Sequence, residues 1–306
     1  MSAAILVVDD ALAGAPDRRM LERLTLARAL AGDDAMVAAV SFCPDSPERS
    51  AALSAHGADR HYVIAGSAAF DSDAWCATLA QIATDLEPAA VLFGHTSSGA
   101  DLAPRLAVRL GGAAMTGCSG AARADGRLIF TRPCHGGNAR ESLWATQGPV
   151  IATLRAGAAE AHPTRTPGQL ESIAVAAAPA GRVRVLARRT DDREGARLED
   201  ARVVVSGGRG VGSAEGFGLL AQLANTLGGV VGASRVACDM GWCAPSLQVG
   251  LTGKTVAPDL YVAVGISGAS HHLAGCTAAR AIVAINSDAD APIFRYARFG
   301  VVGDCA

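Results

Sequence analysis

The run Val203-Val204-Val205-Ser206-Gly207-Gly208-Arg209-Gly210 decides the fold of the second half of the chain, because a helical pattern follows it to about Leu227. An apolar run, a Gly-rich turn and then a helix are typical of a strand in a parallel α/β sheet. Glycines at such a turn let backbone N–H groups approach a phosphate, and Arg209 adds a positive charge, but a tight strand-to-helix turn needs the same glycines. Both interpretations stay open, since Ser213 and Glu215 interrupt the dinucleotide pattern G-x-G-x-x-G.

The alternation of strand and helix continues toward the C-terminus. Short apolar runs at Val230-Val231, Leu260 to Val264 and Ala281 to Ile285 predict further parallel strands. On the other side, residues 176–200 are rich in Ala, Pro, Arg and acidic residues, which indicates a linker. We therefore predict an N-terminal domain over residues 1–190 and a second domain over residues 191–306.

The first half of the chain has the same organisation. Its patterns predict strands at Ile5 to Val8, Met36 to Phe42, Arg60 to Ile64 and Ala90 to Phe93, and helices at Arg18 to Leu30, Pro47 to His56, Asp73 to Leu86 and Leu102 to Leu110. From Gly117 to Arg155, short alternating segments with turns at Asp125-Gly126 and Gly136-Gly137-Asn138 predict antiparallel strands. The predicted fold class is α/β, with two Rossmann-like domains of mostly parallel strands and an antiparallel hairpin extension on the first.

The composition excludes several functional classes. Lys+Arg 27 against Asp+Glu 29 gives a formal net charge of −2, which does not suit nucleic acid or an anionic membrane. No apolar stretch approaches the ~18 residues of a membrane helix, and Met1 to Val8 lacks the features of an export signal. We expect a cytoplasmic protein without membrane insertion. The 8 cysteines contain no C-x-x-C pair and lie among apolar residues, so we expect buried thiols rather than disulfides.

A second turn of small residues, Gly265 to His272, follows a predicted strand and offers polar groups to a ligand. A zinc site is one interpretation of His271, His272 and nearby Cys276. Neighbours on a helix diverge by about 100°, however, and no second cluster of ligands follows. One exposed histidine and one satisfied histidine explain the pair better, so we expect no metal.

Two other motifs have structural explanations. Gly253-Lys254-Thr255 resembles the end of a nucleotide triphosphate loop, yet Gln248 stands where that loop needs Gly. Phe93 to Gly99 places hydroxyls before a helix containing Arg105 and Arg109, and a helix N-cap explains them better than an anion site. No Ser/His/Asp set or closely spaced carboxylate pair appears in the sequence, so we expect no catalytic residue.

Sequence blocks in the second half carry a family resemblance. They are Ser206 to Gly210, Gly232-Ala233-Ser234-Arg235, Leu247 to Lys254, and Leu260 to Gly268. In order and spacing they resemble the FAD-binding domain of the electron transfer flavoprotein alpha subunit. The similarity extends through Ala284-Ile285-Asn286, Ala291 to Phe294 and Gly303-Asp304, and into the first domain at Thr131-Arg132-Pro133, Gly137-Asn138 and Pro104 to Ala107.

The resemblance implies that FAD is the cofactor and that its contacts are Arg209, Ser234, Arg235, Val249, Gly250, Leu251, Thr252, Ser267, Gly268, Ala269, Ser270, His271, His272, Asn286 and Asp304. It places Arg235, Thr252 and His272 around the isoalloxazine. There a hydroxyl near N5 and a cationic or hydrogen-bonding His272 near the C2 carbonyl would favour the reduced, negatively charged flavin. Arg209, Asn286 and Asp304 would hold the pyrophosphate and adenosine end. The family usually has Gln at the positions of Leu251 and His271, so side-chain hydrogen bonds there are lost or altered.

The resemblance also implies a function. The chain would be the alpha subunit of a heterodimeric FAD-containing electron carrier, with the beta (small) subunit as its partner. It would accept electrons from flavin dehydrogenases and pass them to a quinone-linked acceptor, transforming no organic substrate. One alternative is an NADP(H)-binding oxidoreductase or transhydrogenase-like domain in which Arg209 and Arg235 bind the 2′-phosphate. Another is a nucleotide-responsive regulatory protein, which would not require Thr252 and His272.

Overall fold

The computed structural model describes residues 4–11, 14–65, 69–135, 139–164, 166, 170–181, 183, 186–187 and 198–305. The chain divides into two compact units, one comprising residues 1–134 and 139–189 and the other residues 135–138 and 190–306. The predicted turn at residues 136–138 and the charged linker residues 188–194 lie outside the described residues. The predicted domain boundary after residue 190 falls in the same undescribed stretch and stays a prediction.

The first unit is built on a parallel sheet of seven strands. The strands of its described part are β1 (Ile5–Asp9), β2 (Val37–Ser41), β3 (Arg60–Ala65), β4 (Ala90–Gly94), β5 (Ala113–Cys118), β6 (Gly120–Ala124), β7 (Arg127–Cys134), β8 (Ala139–Leu143), β9 (Val150–Leu154) and β10 (Glu171–Ala176). The parallel sheet has the order β10-β3-β2-β1-β4-β9-β5. Strands β6, β7 and β8 form a separate antiparallel sheet.

Helices cover both faces of the seven-stranded sheet. They are α1 (Arg18–Ala31), α2 (Pro47–Ala55), α3 (Ser72–Leu86) and α4 (Ser97–Leu110) within the described residues. Val7 of β1 shares a core cluster with Leu24 of α1, whereas the next residue, Val8, shares the opposite cluster with Trp75 of α3 and Leu102 of α4. Because both faces are buried, the strands are the near-continuous apolar runs from which they were predicted.

Three details of the first unit differ from the sequence prediction. Helix α4 begins at Ser97 rather than Leu102, because the Thr96 hydroxyl accepts a hydrogen bond of 3.0 Å from the backbone N–H of Gly99. Strand β9 is fully buried and pairs in parallel with β4 and β5, so antiparallel pairing was wrong for this part of residues 117–155. Strand β10 was missed because it is an edge strand with exposed, weakly apolar residues.

The second unit is a smaller parallel sheet with helices. Its strands are β11 (Val203–Gly207), β12 (Val230–Ala233), β13 (Leu260–Val264), β14 (Ile282–Asn286) and β15 (Phe299–Val302), and its helices are α5 (Ala214–Thr226), α6 (Arg235–Asp239) and α7 (Ser270–Leu273), as far as the chain is described. The strand order is β12-β11-β13-β14-β15, and every pair is parallel. Strand β15 was not predicted, because all of its residues are exposed.

The core of the second unit also has two sides. Val204 and Tyr261 belong to one buried cluster, and Val205 packs with Phe217 and Leu220 of α5 in the other. The predicted α/β class, with mostly parallel sheets and an antiparallel extension, is therefore confirmed. Among the helices that the structure describes, none has the length and apolar character needed to cross a membrane.

Candidate functional site

The predicted cofactor residues come together at the carboxyl edge of the five-stranded sheet. Arg209 follows β11, Ser234 follows β12, and the run Ser267 to His272 follows β13. Asn286 ends β14, and Asp304 follows β15. The chain moves outward from β11 to β12 and then returns to the other side of β11 as β13, so the strand order reverses between β11 and β13. Open parallel sheets bind ligands in the crevice at such a reversal.

The two Gly-rich turns at this reversal pack directly against each other. The N–H of Gly208 donates to the Val264 carbonyl at 2.8 Å, and the N–H of Gly210 donates to the Gly265 carbonyl at 3.0 Å. A Cβ atom on Gly208 would lie 2.3 Å from the Gly265 oxygen. Close backbone packing therefore explains these glycines, and their N–H groups are already used within the fold. Only the exposed Arg209 of this turn keeps its side chain free to reach a ligand.

The turn after β13 has unused backbone donors. Within the described chain, the N–H groups of Ser267, Gly268 and Ala269 donate to no hydrogen-bond acceptor. The turn is held from behind, because the Ser267 carbonyl accepts from the Ile293 N–H at 3.0 Å and the Asn286 amide donates to the Ile266 carbonyl at 2.9 Å. Successive free N–H groups on a fixed turn form a concave site for an anionic group such as a pyrophosphate.

The loop containing Thr252 is tied to both neighbouring turns. The N–H of Val249 donates to the Ala233 carbonyl at 2.9 Å, and the N–H of Leu251 donates to the His271 carbonyl at 2.7 Å. The Thr252 hydroxyl accepts a hydrogen bond of 2.9 Å from the Gln248 side-chain amide, so its own proton remains available to a ligand. Leu251 is 58% exposed, although its backbone N–H is bonded within the fold.

His272 is buried behind this loop. It is 7% exposed, and its Nε2 atom lies 2.8 Å from the hydroxyl of the fully buried Tyr261. Burial lowers the pKa of His272 to about 4, although the backbone of Val249 has a smaller effect that raises it. The ring is therefore neutral near pH 7, and of the two expected forms only the hydrogen-bonding one fits. Its Nδ1 atom makes no hydrogen bond of normal geometry within the described chain.

Tyr261 was missed by the sequence analysis. Burial raises the pKa of its phenol well above the ordinary value, while the hydroxyl of Ser206 acts to lower it and the thiol of Cys276 acts to raise it. These three residues and His272 form a buried polar group below the carboxyl edge. The sequence carried one signal for this buried polar group. The apolar runs of β11 and β13 each contain a residue with a hydroxyl, Ser206 and Tyr261.

Several predicted contacts are already used by the fold. The Ser234 hydroxyl caps α6 by accepting from the Ala237 N–H at 3.4 Å. The Asn286 carboxamide holds Ile266 and accepts from the Asp288 N–H at 3.0 Å. Arg235 is exposed on α6, and its Nε atom forms an ion pair of 3.4 Å with the Oδ2 atom of Asp239.

The other sequence motifs have the structural roles that were preferred. Thr96 is the N-cap of α4, as the N-cap interpretation predicted. His271 is exposed, as expected for one of the two histidines, and the Nε2 atom of His272 is paired with the Tyr261 hydroxyl. Lys254, in the rejected triphosphate-loop motif, forms an ion pair of 2.8 Å with Glu199.

An open parallel sheet with free backbone donors, exposed arginines and a hydroxyl at its carboxyl edge is typical of α/β proteins that bind nucleotide cofactors. Comparison with known proteins identifies the class more closely. A family model described as the electron transfer flavoprotein FAD-binding domain matches residues 197–277, and one described as the electron transfer flavoprotein domain matches residues 5–180.

Curated relatives agree with these matches. The electron transfer flavoprotein subunit alpha of Bacillus subtilis is 42% identical over 238 residues, which cover 77% of this chain and 73% of the relative. The protein of the same name from Mycobacterium leprae is 39% identical over 317 residues, with 99% of this chain and 94% of the relative covered. Protein FixB of Clostridium saccharobutylicum is 38% identical over 259 residues, which cover 82% of this chain and 78% of the relative. The chain belongs to the electron transfer flavoprotein alpha subunit family.

The second unit fits the cofactor of that family. The matched region is an FAD-binding domain, and the carboxyl edge offers the free N–H groups of Ser267 to Ala269 for a pyrophosphate. The Thr252 hydroxyl, which accepts from Gln248, keeps its own proton available to a ligand at the same edge. The family match identifies FAD as the cofactor and decides against NADP(H), the alternative considered from the sequence.

Proposed function

We propose that this chain is the FAD-binding subunit of a two-subunit electron carrier that takes electrons from flavin dehydrogenases and passes them to a quinone-linked acceptor. The observation that carries the proposal is the row of free N–H groups at Ser267, Gly268 and Ala269, fixed at the carboxyl edge of an FAD-binding domain. The proposed partner is an electron transfer flavoprotein beta subunit, and the first unit serves for architecture and docking. The cytoplasmic location expected from the sequence stays a prediction.

Each group at the edge has a proposed task. When bound, FAD supplies one- and two-electron redox chemistry. The free N–H groups after β13 bind the pyrophosphate, while Arg209 and Asp304 hold the adenosine end. Asn286 acts indirectly, because its amide fixes the turn through Ile266.

The groups around the isoalloxazine differ in how they act. The Thr252 hydroxyl accepts a hydrogen bond from the Gln248 amide and donates its own proton to the isoalloxazine. His272 acts through a hydrogen bond and not through charge, because burial keeps the ring neutral. Arg235 supplies the positive charge that stabilises a negatively charged reduced flavin. The proposed contacts at Val249, Gly250, Leu251, Ser270 and His271 complete the set.

The test is to produce the chain together with the beta subunit and to measure bound flavin and its reduction. We expect one FAD per chain, reduced by a flavin dehydrogenase with its own substrate and reoxidised by a quinone-linked acceptor. A complex that binds FAD but exchanges no electrons with either protein would overturn the carrier role while leaving the cofactor site intact. A complex without FAD, even after incubation with it, would overturn the site.

Thr252→Val removes the proposed hydroxyl with little change in volume. We expect a lower flavin reduction potential and weaker FAD retention, because a hydrogen bond to a charged group contributes about 1.5–3 kcal/mol. Thr226→Val is the matched control, since Thr226 ends α5 and its hydroxyl donates only to the Gln222 carbonyl. Equal potentials and equal retention in the two variants would show that Thr252 does not face the flavin.

A further inference from the structure

The second unit contains two cysteine sulfurs in contact. Cys238 lies near the end of α6 and Cys243 lies five residues further along the chain, and their Sγ atoms are 3.6 Å apart. Both are free thiols. A disulfide needs an S–S distance of about 2.0 Å, so the two sulfurs are in contact but not yet at bonding distance.

The backbone between the two cysteines is fixed. The N–H of Trp242 donates to the Ala237 carbonyl at 3.1 Å, and the N–H of Gly241 donates to the Cys238 carbonyl at 2.9 Å. Gly241 has a φ of +73°, which only glycine adopts at little cost. These two hydrogen bonds are the helix-ending motif in which a left-handed glycine reverses the chain.

Packing holds the same turn in place. The ring of Trp242 lies 6.4 Å from the ring of Phe217. Phe217 and Cys238 belong to one buried core cluster, and Trp242 and Cys243 pack against it. The two sulfurs are therefore neighbours because of the fold and not because of a loose surface loop.

The surroundings of the pair permit oxidation and do not suggest a metal. Cys238 is 8% exposed, whereas Cys243 is partly exposed. In the part of the chain that the structure describes, no three His, Cys, Asp or Glu side chains gather as metal ligands would. Burial raises the pKa of Cys243 to about 12, and the neighbouring Cys238 thiol adds a smaller effect in the same direction. The reactive thiolate is therefore scarce near neutral pH, and we expect slow oxidation.

We propose that Cys238 and Cys243 are a modification site at which hydrogen peroxide forms a reversible intramolecular disulfide. The Cys243 thiolate attacks a peroxide oxygen, the O–O bond breaks, and the departing hydroxide takes up a proton to become water. The Cys238 sulfur then attacks the resulting sulfenic acid, the S–O bond breaks, and a second water leaves with the Cys238 thiol proton. Two thiols lose two electrons in total, and one peroxide becomes two waters. This proposal does not depend on the proposed electron-carrier function.

The experiment treats the full chain with hydrogen peroxide, blocks the remaining thiols in denaturant, and identifies cross-linked peptides by mass spectrometry. We expect the number of free thiols to fall by two from 8 and to return after reduction with a dithiol. We expect a peptide joining residues 238 and 243. The initial rate should rise about tenfold per pH unit between about pH 7 and pH 9, because the thiolate fraction does so well below the pKa.

Cys243→Ser and Cys238→Ala should each abolish the loss of two thiols. Cys305→Ser is the matched control, because Cys305 is also partly exposed but its Sγ contacts the Gly210 carbonyl at 3.3 Å instead of another sulfur. Oxidation of Cys243 only to a sulfinic acid, a bridge between other cysteines, or an unchanged thiol count would each overturn the proposal.

Discussion

Acid should destabilise the second unit through His272 in particular. The ring is buried and bonded to Tyr261, and its pKa falls from the ordinary 6.5 to about 4. As pH falls, the unfolded chain therefore takes up this proton before the folded chain does. The stability that comes from the neutral ring is complete above about pH 6.5 and is lost as pH falls toward 4. The whole effect is about 3 kcal/mol, and between about pH 7 and pH 5 it amounts to about 2 kcal/mol.

The perturbation that isolates this effect is His272→Gln, which removes the titrating group. Hydrogen exchange of the β13 amides reports the free energy of unfolding of the second unit. The difference in this free energy between the native chain and the variant should shrink by about 2 kcal/mol from about pH 7 to pH 5. Comparing the two chains cancels the other titrating groups.

The imidazole signals in nuclear magnetic resonance spectra test the same point directly. The signal that disappears in His272→Gln should titrate near pH 4, whereas the signal that disappears in His271→Gln belongs to an exposed ring. A His272 signal that titrates between about pH 6 and 7, at the ordinary histidine pKa, would refute the claim that the buried ring is neutral.

Three further predictions concern packing within each unit. Tyr261→Phe leaves a buried imidazole nitrogen without its partner and should cost about 1–3 kcal/mol in urea unfolding; no change in stability would contradict the observed hydrogen bond. Gly208→Ala puts a Cβ 2.3 Å from a backbone oxygen and should unfold or strongly destabilise the second unit. Its control is Gly218→Ala, which has open space around it in α5 and should stabilise the unit by up to about 1 kcal/mol. Equal effects of the two variants on thermal unfolding would contradict the close approach. Arg49→Met leaves the buried carboxylate of Asp9 without its ion-pair partner and should cost about 3 kcal/mol in the first unit, and a loss under about 0.5 kcal/mol would show that the ion pair is dispensable.

Most of the architecture could be predicted from the sequence, because burial on both faces makes strands such as β1 and β13 continuous apolar runs. Edge strands lack that constraint. Strands β10 and β15 expose most of their residues, so their sequences carry little apolar pattern. The pairing of β9 was also beyond local pattern, since its neighbours β4 and β5 are distant in the chain.

The positions of the predicted cofactor residues could be inferred from the sequence better than their chemistry. Residue order was enough to place the turns after β11 and β13 at one edge of the sheet. It did not show that Gly208 packs against Gly265, or that Asn286 holds the turn instead of reaching outward. Nor could it show that burial makes His272 neutral, because the charge of a histidine depends on how distant segments pack around it.

The central claim is that the carboxyl edge of the five-stranded sheet binds FAD. The most direct test is hydrogen–deuterium exchange of the peptide spanning residues 265–272, measured in the complex with the beta subunit before and after FAD is added. The free N–H groups of Ser267, Gly268 and Ala269 should exchange rapidly without FAD and slowly with it. Bound FAD with unchanged exchange in this peptide, and protection elsewhere in the chain, would contradict the account.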